Sequence, residues 1–136
     1  MTTKRRHGKD EPFEAWIRAR PELDSSLGYT RIDLDIFWRN YRTQEFMVIE
    51  KKMYGKTNMS RPQRDIYSLV DFALRTVFPN KYKGFYIVSF SGEGPEDSDS
   101  TTIIHWKTKQ YITVTEEELS EFLQFNIEVR SDKLII

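Results

Sequence analysis

The clearest periodic signal lies between Ser60 and Pro79, where Ile66, Leu69, Val70, Ala73, Leu74, Val77 and Phe78 recur at spacings of three and four. That spacing predicts a helix with a buried apolar stripe, started by Ser60 and Pro62 and stopped by Pro79. Upstream the period changes to two: Ile32, Leu34 and Ile36 alternate with Arg31, Asp33 and Asp35, which predicts a strand over 29–38. A polar break at 40–44 separates it from 45–54, a second strand by its β-branched and aromatic content, and the two form a hairpin. Phe13, Trp16, Ile17 and Arg20 stand at helical intervals between Pro12 and Pro21, predicting a short amphipathic helix.

Further on, 84–91 reads as a core strand with 101–106 as its neighbour, and the acidic stretch Gly92 to Asp99 between them as a mobile loop. Thr115 and Glu118 form a capping box that opens a helix through Leu119, Phe122 and Leu123. Asn126 closes that helix, and 127–129 is a last strand. The order of elements indicates an α/β fold, a mixed β-sheet flanked by helices. Residues 1–10 read as a flexible basic tail and 11–136 as one domain without internal repeat.

Composition narrows the chemistry. A chain of 136 residues suits a single domain. The absence of cysteine excludes disulfides and thiolate zinc sites, and two isolated histidines, His7 and His105, cannot make a histidine cluster. A bound metal would therefore be hard and oxygen-ligated. No apolar run reaches the roughly 20 residues of a membrane span, and the first residues, Met1 to Arg6, are polar. The expectation is a soluble cytoplasmic protein with no membrane partner.

The 21 basic and 21 acidic residues cancel, but unevenly. Residues 38–64 carry seven positive and two negative charges, whereas 65–136 carry seven and twelve. The basic middle could meet a phosphate backbone, although a solvated face is the commoner origin of such a cluster.

The hairpin brings charged residues together. A turn at Arg42 and Thr43 makes paired positions sum to 85, which sets Asp35 opposite Glu50 and Asp33 opposite Lys52, with opposed Cβ atoms about 4.5–5.5 Å apart. Carboxylates so placed repel unless a cation lies between them, and Mg²⁺ or Mn²⁺ fills that role. A plain cross-strand ion pair on a solvent face is the alternative, and the single Glu-x-Lys match is no more than chance supplies.

An upstream Asp, a hydrophobic strand ending in Ile49-Glu50-Lys51-Lys52, and a helix that begins with Gln63-Arg64-Asp65-Ile66-Tyr67 together resemble the PD-(D/E)XK nuclease superfamily, in its RecB-like branch with a Gln-x-x-x-Tyr motif. The resemblance covers roughly 11–90. It departs from the family in leaving little room, between Leu23 and Gly28, for a strand after the first helix. It implies a restriction-endonuclease-like αβββαβ core and metal-dependent hydrolysis of phosphodiester bonds in DNA, or else in RNA.

On that resemblance Asp35, Glu50 and the Lys51 main-chain carbonyl would hold the ion, with Asp33 a second or water-mediated ligand. Lys52 would orient the attacking water and stabilise charge on phosphorus. Gln63 and Tyr67, one turn apart, would position water, metal shell or phosphate, and Arg61 and Arg64 would meet substrate phosphates. Glu14 on the first helix is an outer-shell candidate, more simply read as a solvent carboxylate. Tyr67 is equally well a core-edge aromatic, and His105 and Trp106 read as a structural histidine and a core indole.

The Lys4 to Lys9 run could grip phosphates or be a solvated tail. A viral or mobile-element origin suits so compact a nuclease, which would place it in the host cytoplasm. A homo-oligomer or a protein partner stays open. The rival reading is a nuclease fold without catalysis that holds DNA or a protein.

Overall fold

The computed structural model describes residues 11–126, 128–130 and 133–135. The basic tail over 1–10 and Ile127 lie outside the described residues. The chain divides into two compact units, one ending at Ile32 and one beginning at Asp33.

In the first unit α1 runs over Pro12–Arg18 with proline in its first turn. Phe13 and Trp16 stack at 6.3 Å, and the Arg20 guanidinium lies 5.0 Å from the Trp16 ring centre. Two single 3₁₀ turns follow, Pro21–Leu23 and Ser25–Leu27. Asp24 caps the second, accepting from the Ser26 N–H at 3.0 Å and its hydroxyl at 2.6 Å. These turns occupy the place where an αβββαβ core has its first strand. Only two strands stand between the first two α-helices among the described residues, so the three-strand run of an αβββαβ core is not present there.

The second unit is built on a five-stranded sheet of order β1-β2-β3-β4-β5. Its strands are β1 Ile36–Arg39, β2 Phe46–Lys52, β3 Tyr82–Phe90, β4 Thr101–His105 and β5 Tyr111–Val114. All neighbours are antiparallel except β2 and β3, which run parallel because helix α2, Arg61–Val77, crosses between them. Helix α3, Glu116–Leu123, follows β5, and the short strands β6 Glu128–Arg130 and β7 Lys133–Ile135 pair in a second sheet.

Side chains alternate across β2. Met47 and Ile49 join Tyr86, Val88, Phe90, Ile103, Leu119 and Phe122 in the apolar cluster beneath α3. Phe46, Val48, Glu50 and Lys52 point to the other face, the side of α2. Gly84 lies at φ +126 on β3, where the register with β2 shifts between Phe46 and Val48, and a Cβ there would meet the Tyr86 ring at 3.1 Å. Glycine is the residue that admits this kink.

Two expectations need correction. The strand predicted over 29–38 begins at Ile36. One position earlier the ladder is replaced by side chains: the Asp35 N–H donates to Glu50 Oε1 at 3.3 Å and the Lys51 N–H donates to Asp35 Oδ2 at 2.9 Å. The stripe on α2 is also rotated from the predicted one. Ile66, Val70 and Leu74 are only half-buried, Leu69, Phe72 and Val77 are exposed, and the fully buried positions are Tyr67 and Asp71.

The physical reason lies in what the sheet offers. Phe85 and Trp106 lie 4.8 and 5.5 Å from the Tyr67 ring, a larger apolar contact than Leu69 could make. Asp71 tolerates burial because the Tyr82 hydroxyl and Arg75 Nη2 each donate to its Oδ1 at 2.7 Å. Hydropathy patterning sees neither effect.

Candidate functional site

The hairpin sets the site. Ile36 pairs with Ile49, Phe37 with Val48, Trp38 with Met47 and Arg39 with Phe46, so every pair sums to 85. The turn holds that register: Asn40 N–H donates to the Glu45 carbonyl at 2.9 Å, and Asn40 Oδ1 accepts from Arg42 N–H at 2.8 Å. Continued by one position, the register sets Asp35 across from Glu50, where the two side-chain bonds described above join them.

The two carboxylates differ in environment. Asp35 is exposed, whereas Glu50, on the α2 face, retains 6% of its surface. Burial is the largest influence on Glu50 and raises its pKa, the Asp35 charge raises it further, and Lys52 works in the opposite direction. Lys52, half-buried, projects from the same face two residues on. Lys51 faces the other way, with its N–H spent on Asp35. Asp33 is exposed and lies outside β1.

Helix α2 delivers the rest. Ser60 and Gln63 form a reciprocal capping box: the Gln63 N–H donates to Ser60 Oγ at 3.2 Å and the Ser60 N–H donates to Gln63 Oε1 at 2.9 Å. The amide oxygen of Gln63 is therefore committed to the helix start, and its amide nitrogen is the group left to act. One turn later Tyr67 has no exposed surface, and its hydroxyl makes no hydrogen bond of normal geometry.

That hydroxyl still interacts with the Glu50 carboxylate, whose charge, after burial, raises the phenol's pKa well above the ordinary value. Tyr67 is thus a core aromatic and a neighbour of the carboxylate at once. Arg61 and Arg64 are exposed on the first turn of α2.

Glu14 belongs to the first unit, where it lines a cavity of ≈ 330 Å³ with Ile17 and Tyr29 and has one shielded, unpaired oxygen. His105 packs edge-on against Tyr86 at 5.2 Å, and its Nδ1 accepts from the Thr108 N–H at 3.3 Å. Trp106 is buried and donates to Ser68 Oγ at 3.1 Å. Both have structural roles here. The acidic loop is tied down, internally by Gly92 N–H donating to Ser98 Oγ at 2.8 Å and to the segment after β2 by the Tyr54 hydroxyl donating to Glu93 Oε2 at 2.6 Å.

No group of three or more His, Asp or Glu side chains that could hold a metal gathers among the described residues. The site offers a pair of carboxylates, and any further oxygen ligand would come from main chain, solvent or substrate. No described helix is long and apolar enough to cross a membrane. No family model, no curated protein and no solved structure matches the chain.

Proposed function

We propose that the chain is a Mg²⁺- or Mn²⁺-dependent nuclease acting on DNA, its centre at Asp35, Glu50 and Lys52. The observation that carries this reading is the placing of a buried carboxylate with raised pKa against a second carboxylate, with a lysine two residues on. Burying a carboxylate beside another costs folding free energy that an apolar side chain would not, and such arrangements concentrate at functional sites.

The donor set fits a hard divalent cation: Asp35, Glu50 and the Lys51 carbonyl would hold it, with Asp33 as an outer contributor. When bound, the ion supplies polarisation of the scissile phosphate and a lowered pKa for a water. Lys52 neutralises charge growing on the phosphate oxygens and orients the water. The Gln63 amide nitrogen donates toward the same region, Tyr67 borders the Glu50 carboxylate on the buried side, and Arg61 and Arg64 attract the backbone.

The test is incubation with labelled single- and double-stranded DNA in Mn²⁺, with an EDTA control. Cleavage in Mn²⁺ alone, abolished by Glu50→Ala and by Lys52→Ala, is the expected result, and unchanged turnover in either variant overturns it. A second reading draws on the cap of Gln63 and the core packing of Tyr67, which give both residues structural reasons to be present. On it the chain is a nuclease-like module that holds DNA or a protein without cutting, and binding without cleavage in the same assay would select it.

A further inference from the structure

A cavity of ≈ 240 Å³ lies between α2 and the turn that joins β4 to β5. Its charged lining is Arg75, Lys107 and Lys109 against a single carboxylate, Asp71, which is already engaged by Arg75 and the Tyr82 hydroxyl. The balance is cationic by two charges. Phe72 lines the same cavity with 69% of its surface exposed.

The turn is built at a conformational cost. Lys109 stands at φ +64, a left-handed conformation that glycine or asparagine adopts more cheaply. Its N–H closes the turn on the His105 carbonyl at 2.8 Å. Its ammonium lies 3.3 Å above the Trp106 ring and donates to the Trp106 carbonyl. Burial lowers the lysine's pKa, with the Arg64 charge adding to it and Asp71 opposing. The strain is understandable if the position requires a lysine side chain, since the backbone alone would favour glycine.

We propose that this cavity is a binding subsite for single-stranded nucleic acid, with a backbone phosphate on Lys107 and Lys109 and an unpaired base stacked on Phe72. An exposed aromatic face beside paired cations matches a strand whose bases are free, because a duplex covers the base faces that Phe72 would meet. This deepens the nuclease reading by naming single strands as the substrate class. It places the grip on the strand along the same helix that carries Gln63 and Tyr67.

The test is fluorescence anisotropy with a labelled 20-nucleotide oligo-dT and with a duplex of equal length, both in EDTA so that binding is read without cleavage. Phe72→Ala should weaken binding of the single strand on the order of tenfold with the salt dependence unchanged. Lys107→Ala combined with Lys109→Gly, which relieves the strained turn while removing both charges, should lower the slope of log K against log salt by about 0.7, the share of the one phosphate charge that is no longer neutralised.

Wild-type affinity in both variants, or a duplex bound as tightly and with the same loss on Phe72→Ala, overturns the subsite. Binding as expected in a protein that never cleaves would sink the nuclease reading and leave the subsite standing. Cleavage that needs Glu50, with binding indifferent to Phe72 and to the lysines, would do the reverse.

Discussion

Glu50 and Asp35 hold each other's strand in register: Glu50 Oε1 accepts the Asp35 N–H at 3.3 Å, and Asp35 Oδ2 in turn accepts the N–H of the residue after Glu50 at 2.9 Å. Two side chains stand where two rungs of a β-ladder would be. The exchange keeps two negative groups together at the end of an edge strand, an arrangement that favours a cation and opposes folding without one.

The first prediction follows from that opposition. Glu50 has its pKa raised on folding, so the folded state favours the protonated form. Its ionisation therefore costs stability above the folded pKa, and the cost disappears below the ordinary carboxylate value of about 4.3. Glu50→Gln, which can still accept from Asp35, should melt a few degrees above the wild type at neutral pH and together with it near pH 4. Added Mn²⁺ should reverse the order, because it stabilises only a protein that binds it. Equal melting temperatures across the pH range would show that burial of Glu50 carries no strain.

Metal affinity separates the two aspartates. Asp35→Asn keeps an oxygen for the Lys51 N–H but removes the charge facing Glu50, whereas Asp33 stands exposed outside β1. Titration calorimetry should show Mn²⁺ binding lost or nearly lost in Asp35→Asn. In Asp33→Asn it should weaken by about 10–100-fold at most, as expected of an outer contributor. A larger loss in Asp33→Asn would assign the ligand role to Asp33.

The hairpin was legible in the sequence because its register depends on local features, a turn centred on Arg42 and Thr43 and alternating side chains, and pairs summing to 85 follow from those alone. The capping box at Thr115 was legible for the same reason, whereas at Ser60 only the helix start was, and the reciprocal bond of Gln63 emerges from the folded helix. The rotation of α2 was not, since it depends on Phe85 and Trp106, which reach Tyr67 only through the folded sheet. Strand β5, Tyr111–Val114, escaped notice because four residues carry too little periodicity. The cavity at Phe72 and Lys109 joins residues more than thirty positions apart, and no spacing rule reaches across that distance.

Tyr67 has a structural and a chemical role that one substitution can separate. Its ring contacts Phe85 and Trp106, while its hydroxyl is buried without a well-formed partner. Tyr67→Phe should therefore leave chemical denaturation within about 1 kcal/mol of wild type, and Tyr67→Ala should cost about 3–5 kcal/mol. The hydroxyl favours the ionised form of Glu50, so its removal should raise the carboxyl pKa and move the pH midpoint of Mn²⁺ binding upward in Tyr67→Phe. A midpoint that stays in place would confine Tyr67 to the core.

Gln63 poses the sharpest choice between folding and chemistry, because its amide oxygen caps α2 and only its nitrogen is available to a substrate. Gln63→Ala loses the reciprocal bond to the Ser60 N–H and should destabilise by about 1 kcal/mol, so a drop in cleavage by that variant alone is ambiguous. Gln63→Glu keeps an acceptor for that N–H and adds negative charge in the first turn, where the helix dipole and the neighbouring Arg61 and Arg64 favour it. Its stability should equal or exceed that of the wild type. It has no amide donor, however, and brings a negative charge toward the phosphate. If the nitrogen positions substrate, Gln63→Glu should lower the cleavage rate by one to two orders of magnitude, about 1.4–2.7 kcal/mol of barrier, with the fold fully preserved. Wild-type cleavage by Gln63→Glu would reduce the spacing of Gln63 and Tyr67 to a capping box followed one turn later by a core aromatic, and would leave Asp35, Glu50 and Lys52 to support the nuclease reading by themselves.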